Sequence, residues 1–275
     1  MFIGFRRHTF LFVGLMLFLC VFPLTSAADQ FPLLTESPQT LSPGQFAVDV
    51  GLQFLNHHNF PFSPFSEAFS RNVLSLPTLG FSVGLGNRVE LQLRYEVLFV
   101  EEDELRIKER WKSGDLVFFT KIAVLEERRY FPGTGIKLGA KFPNAGNQYR
   151  VGTDETDLAF TALGEKMFSP VTISGHLGLL ILGNPFSNAR QDDLLAYGLA
   201  CSFPWNASLA STIEIVGQAF GTSHNERASV VAHLFFEDRR LTWNLASRMG
   251  LLTNSERWGL SGGVRIRFTG FSLSE

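Results

Sequence analysis

A few residues have the type and spacing to do chemistry. Gly259-Leu260-Ser261-Gly262-Gly263 has the spacing of a nucleophile elbow, which pins a serine at a sharp strand-to-helix turn. Apolar and polar residues alternate around this motif, so the serine reads as part of a strand. Ser174 and His176 stand two apart on one strand face, too far for a direct nucleophile–base hydrogen bond. His57 and His58 are adjacent without a nearby acid cluster, and read as loop polarity before metal ligands. No catalytic residue, metal ligand or cofactor is assigned.

The larger chemical resource is a set of charged and polar side chains that recur on one face of successive segments. It comprises Asp49, Gln53, Glu90, Gln92, Arg94, Glu96, Asp115, Lys121, Lys137, Lys141, Asp157, Glu165, His176, Glu214, Gln218, Arg227, His233, Arg248, Arg265 and Arg267. Acids and bases nearly balance. Such a wall can interlock in ion pairs and narrow a lumen, whereas a strongly ion-selective pore favours one sign. Phe119, Leu180, Leu182, Val216, Val231 and Phe235 share this face and leave a partly apolar path.

The elements that carry these residues have a period of two. Phe46, Val48, Val50, Leu52 and Phe54 oppose Gln45, Ala47, Asp49, Gly51 and Gln53; Val89, Leu91, Leu93, Tyr95 and Val97 oppose Glu90, Gln92, Arg94 and Glu96. Trp258, Leu260, Val264, Ile266 and Phe268 oppose Ser261, Arg265 and Arg267. Similar segments are expected near 77–85, 114–125, 131–142, 156–166, 171–182, 193–203, 208–219, 227–236 and 241–250. Each is about ten residues long, the length of a tilted membrane strand. Long connections, such as Asn56 to Leu76 and Phe99 to Ser113, alternate with short ones, such as Gly86-Asn87. That puts both chain ends and all the short turns on one side. The expected fold is an all-β, closed, antiparallel up-and-down transmembrane β-barrel of about twelve strands. A soluble sandwich also alternates, but mid-strand charges on the polar faces and aromatics near strand ends weigh against it.

The start of the chain reads as an export signal. Arg6 and Arg7 precede an apolar run from Phe10 to Leu24, and Thr25 to Ala28 are small. The expected organisation is a cleaved signal peptide at 1–27, an N-terminal periplasmic segment at 28–44, the barrel at 45–268 and a C-terminal tail at 269–275. Removing the leader's two arginines from 24 basic and 26 acidic residues leaves a net charge of −4, which gives no reason to expect nucleic acid. Cys20 falls in the leader and Cys201 stands alone after it. Phenylalanine is frequent, at 28 residues, yet no later apolar run approaches the ~20 residues of a membrane helix. Phe60, Phe62, Phe65 and Phe69 crowd the first long loop, which either rests on the lipid interface or forms a greasy lid.

Three stretches carry a family resemblance: Val83-Gly84-Leu85-Gly86-Asn87-Arg88-Val89-Glu90-Leu91, then Gly114-Asp115-Leu116 with Lys121, then Leu138-Gly139-Ala140-Lys141-Phe142-Pro143. They resemble the outer-membrane barrels linked to the phenol meta-cleavage pathway (the MetA-pathway of phenol degradation), over about Leu41 to Phe268. The family often continues after the proline with threonine and glycine; here the residues are Asn144-Ala145-Gly146. Many such barrels end on an aromatic, whereas here Phe268 is followed by a short polar tail. The resemblance implies passage of aromatic or other hydrophobic compounds and supplies no catalytic residues.

The expected function is an outer-membrane channel or transporter for small, hydrophobic or aromatic molecules. The alternatives are a lipid- or lipopolysaccharide-modifying enzyme and a non-transporting structural barrel. The expected partners are outer-membrane lipid, the barrel-assembly machinery during biogenesis, and a small-molecule solute.

Overall fold

The computed structural model describes residues 34–59, 70–101, 110–145, 152–184, 191–221 and 226–270. The strands are β1 (Gln45–Asn59), β2 (Ser70–Gly86), β3 (Val89–Glu101), β4 (Arg110–Ser113), β5 (Leu116–Leu125), β6 (Gly133–Phe142), β7 (Asp157–Phe168), β8 (Val171–Gly183), β9 (Gln191–Pro204), β10 (Leu209–Ala219), β11 (Arg227–Asp238), β12 (Leu241–Gly250) and β13 (Trp258–Thr269). Successive strands pair antiparallel, and β1 pairs with β13 to close the sheet. The short β4 pairs with the upper part of β3 and β5 with its lower part. The result is a closed twelve-stranded antiparallel barrel with β4 as an additional short strand.

One strand shows why the sheet closes with its polar face inward. Along β10, Thr212 and Glu214 are 1% and 0% exposed, while Ile213 and Ile215 are 39% and 44% exposed. On β11, His233 and Phe235 are buried, while Leu234 and Phe236 are exposed. A soluble sandwich would bury the isoleucines. A barrel in lipid leaves them on its outer face and satisfies its backbone between strands, with no edge. Closure is fixed by register as well as by hydrogen bonds. Asp49 lies opposite Arg265, and its carboxylate accepts from Arg265 Nε at 2.7 Å and a terminal guanidinium nitrogen at 3.0 Å. Phe46 stacks on Phe268 at one end of this seam, and Phe54 meets Trp258 at the other. Eight residues separate the two aromatic pairs, about 27 Å along a strand. At a tilt of ~40° this is about 21 Å along the barrel axis, within the ~25 Å apolar band of an outer-membrane barrel.

Three boundaries differ from the sequence expectation. β1 continues to Asn59 and β2 begins at Ser70, so the first long connection is much shorter than Asn56 to Leu76. Pro77 had marked a strand start there. Instead, the register steps over Leu76 and Pro77 against both neighbouring strands, and such a bulge tolerates a residue without an N–H. The expected strand 114–125 is broken at Gly114-Asp115, where the Gly114 N–H donates to the Glu96 carbonyl. There the Asp115 carboxylate turns to accept from the Asn144 and Ala145 N–H groups. The β2–β3 turn centres on Asn87-Arg88, one residue later than expected. The Phe60–Phe69 loop, the leader and residues 271–275 lie outside the described residues.

The outer face gives a direct test of orientation. Leu93 sits mid-strand between Phe81 and Phe118, both exposed on the outer face. Leu93→Arg is expected to destabilise the assembled barrel by ~2–4 kcal/mol, read from urea unfolding in lipid vesicles. An effect below ~1 kcal/mol would place Leu93 away from the bilayer midplane.

Candidate functional site: the barrel interior and its N-terminal segment

Residues 28–44 were expected in the periplasm. The described part, residues 34–44, instead runs back inside the barrel. Three wall carboxylates hold it there. Glu214 accepts from the backbone N–H of Thr35 at 2.8 Å and of Leu34 at 3.3 Å. Glu165 accepts from the Ser37 hydroxyl and the Gln39 side-chain amide, each at 3.0 Å. Glu90 accepts from the Leu41 N–H at 2.9 Å. A strand-free segment leaves its N–H groups without ladder partners, and charged acceptors are strong substitutes. This is why the segment settles on the acidic part of the wall.

The segment returns one carboxylate. Glu36 reaches a basic cluster contributed by three neighbouring strands. Its Oε1 lies 2.5 Å from Lys137 Nζ and 2.5 Å from an Arg94 guanidinium nitrogen. Its Oε2 accepts from Gln92 Nε2 at 3.0 Å, and Lys121 Nζ stands 3.9 Å away. Burial alone would raise the Glu36 carboxyl, but Lys137, Arg94 and Lys121 outweigh it and hold it well below the usual carboxylate range. Phe119 underlies the cluster: Lys137 Nζ is 4.0 Å from its ring centroid and the Arg94 guanidinium 5.5 Å.

The wall is cut to fit the segment. A Cβ on Gly84 would stand 2.5 Å from the Leu41 carbonyl oxygen and 2.2 Å from that of Ser42. A Cβ on Gly198 would stand 2.5 Å from the Thr35 hydroxyl and 2.3 Å from the His176 ring. At Gly84 the obstruction is backbone, which cannot swing aside, so glycine is required there.

The other expected wall residues fall into separate groups. Asp49 and Arg265 form the seam pair, while Arg267 pairs with Glu237 at the end of β11. Lys141 bridges Asp157 at 2.6 Å and Asp115 at 3.3 Å. Glu96 is half-buried on β3 beside Ser75. Lys121 also reaches Glu90, at 3.4 Å. His233 Nε2 is 2.7 Å from Glu214, and its ring stacks on Phe235. Gln218 lies opposite Arg227 in the β10–β11 ladder. Towards the opposite end, Arg227 reaches His58 at 3.4 Å and Arg248 reaches Glu256 at 3.3 Å. A cavity of about 100 Å³ separates this end from the segment, with Leu34, Gln53, Val231, His233 and Arg248 in its lining.

The chemical motifs resolve as structure. Ser174 donates its hydroxyl proton to Glu165 at 2.8 Å, away from His176. Ser261 lies within β13, not at a turn into a helix. His57 bonds its neighbour Asn56, and His58 faces Arg227. Sequence reasoning missed Glu36, Glu256, Glu237 and Arg71. The first three lie outside or at the ends of alternating runs, so no periodicity marks them. Arg71, buried at the start of β2, would have surfaced had that strand been extended past Pro77.

No family model matches the chain, and no curated protein matches it. Among solved structures, it is similar to the COG4313 outer membrane channel from Pseudomonas putida F1. That likeness has 10% identity, covers 89% of this chain and 100% of that one, and has a TM-score of 0.64. OmpT, an outer membrane protein of Vibrio cholerae, is 11% identical over 82% of this chain and 98% of its own, with a TM-score of 0.37. OmpF of Salmonella typhi, in complex with daunomycin, is 7% identical over 82% and 97%, with a TM-score of 0.36. The closed barrel and its likeness to the Pseudomonas putida channel give the chain the fold of an outer-membrane β-barrel.

Proposed function

We propose that the protein is an outer-membrane channel for small aromatic or otherwise hydrophobic solutes, closed at rest by residues 34–44. The observation that carries this reading is the seated segment inside a charge-lined barrel. Twelve strands lie between the filled eight-stranded barrels and the open sixteen-stranded porins, so one extended chain is enough to close the interior. The segment is held mainly by charged acceptors and ion pairs, which can exchange with water. The resemblance to the phenol meta-pathway barrels and the fold likeness to the Pseudomonas putida channel support the same reading. Export by a cleaved leader and an outer-membrane location belong to this proposal.

Planar-bilayer recording of the purified protein tests it. The full chain is expected to rest near zero conductance with brief openings. A chain lacking residues 34–43 is expected to hold a steady conducting level. A truncated barrel that assembles, shown by heat-modifiable migration, yet passes no current would reject the channel reading in favour of a structural barrel.

A further inference from the structure

We propose that Arg94, Lys121, Lys137 and Gln92, held over the ring of Phe119, form a binding site for small organic carboxylates, and that Glu36 is its built-in competitor. The inference rests on the channel reading, for which it names the solute class. The Glu36 carboxylate stands where a solute carboxylate would lie. One of its oxygens takes Lys137 and Arg94, and the other takes Gln92 with Lys121 beyond. All four donors come from β3, β5 and β6, so the wall builds the site and the segment only fills it.

Three features favour a free ligand over a purely structural ion pair. First, the cations outnumber the local wall carboxylates: Glu90 faces Lys121 and Gln92, while Lys137 and Arg94 converge on Glu36. Buried cations without a counter-charge are costly, so a vacated cluster draws in any carboxylate that reaches it. Second, the Arg94 side chain is 44% exposed, which leaves the cluster open to the lumen on that side. Third, Phe119 lies under Lys137 and Arg94 and holds both cations over one ring, aimed at the carboxylate position. A solute carboxyl group would take these cations with its two oxygens, as Glu36 does, and leave its organic body on the open side of Arg94. A spherical or tetrahedral anion lacks this planar two-oxygen match. Because Glu36 is tethered, it competes at an effective concentration of the order of millimolar. A solute that displaces it also loosens the segment, which couples binding to opening.

The test is isothermal titration of the detergent-purified full chain with benzoate, benzamide and inorganic phosphate. Glu36→Gln is expected to bind benzoate at least ~10-fold more tightly than the unaltered chain, since the tethered competitor is gone. Benzamide and phosphate are expected to bind at least ~10-fold more weakly than benzoate, and Lys137→Met added to Glu36→Gln to abolish the gain. In bilayers, benzoate is expected to raise the open fraction of the unaltered chain. Equal benzoate affinity with and without Glu36, or benzamide or phosphate binding as tightly as benzoate, would overturn the proposal. Should Glu36→Gln not assemble, Lys137→Met alone decides: benzoate-dependent opening must disappear, and its persistence overturns the site. The two readings fail separately. Benzoate discrimination in a truncated barrel that never conducts leaves the site and removes the channel. A conducting truncated barrel without benzoate discrimination leaves the channel and removes the site.

Discussion

A chain carrying Glu36→Lys is expected to conduct continuously where the unaltered chain rests closed. The substitution replaces the one carboxylate that Lys137 and Arg94 share with an ammonium of their own sign. Removing one partner of a buried ion pair costs ~3–5 kcal/mol, and placing a like charge at the same point adds repulsion in a site screened poorly by water. At ~1.4 kcal/mol per tenfold, the equilibrium constant for seating falls by roughly two to three and a half powers of ten before repulsion is counted. The remaining attachments to Glu214, Glu165 and Glu90 are hydrogen bonds to charged acceptors, ~1.5–3 kcal/mol each, and the basic cluster now opposes the geometry they need. The barrel itself should persist, because Glu36 lies outside every strand and has no place in the β1–β13 ladder. Bilayer current and protease cleavage within residues 34–44 read the release independently. A closed, protease-resistant Glu36→Lys barrel would mean that the hydrogen bonds to Glu214, Glu165 and Glu90 hold the segment without the ion pair.

What the sequence made legible was whatever repeats. Ile213 and Ile215 against Thr212 and Glu214 announce a strand with lipid on one side, and eleven further segments follow the same rule closely enough to give the strand number and the closing pair. Antiparallel closure of the first and last strands brings Asp49 to Arg265 or Arg267, and the register selects Arg265. The bulge at Leu76-Pro77 was hidden because proline is normally a strand boundary, and only the neighbouring registers reveal that it is stepped over.

The segment was hidden for a different reason. Leu34 to Gly44 has no alternation, and its affinity for the interior lies in backbone N–H groups, which nearly every residue has, in the Ser37 and Gln39 side chains, and in one glutamate. The complementary signs were on the page but distant: Gly84 lies 43 residues after Leu41, and nothing local says that its missing side chain makes room for the Leu41 and Ser42 carbonyls. The segment's partners Glu90, Gln92, Arg94, Lys121, Lys137, Glu165 and Glu214 stand on alternating polar faces, and nothing in their spacing says what they hold.

The opened interior is expected to be nearly unselective between cations and anions, yet easily tipped either way. With residues 34–43 absent, the narrow region keeps Arg94, Lys121 and Lys137 on β3, β5 and β6, facing Glu90, Glu165 and Glu214 on β3, β7 and β10. Elsewhere on the wall, charges already compensate one another, as in Asp49 with Arg265 and Lys141 with Asp115 and Asp157. The truncated chain should therefore show a reversal potential near zero in a potassium chloride gradient. Neutralising one side breaks the balance. A unit charge ~4 Å from a passing ion in water-like surroundings is worth about 1 kcal/mol, roughly fivefold in permeability ratio. Lys121→Gln with Lys137→Gln should then drive the reversal potential towards potassium. Glu165→Gln with Glu214→Gln should drive it towards chloride by a similar amount. The two shifts must have opposite signs. If both pairs of substitutions leave the reversal potential unmoved, the permeating ions do not pass between these residues, and the path lies elsewhere in the barrel.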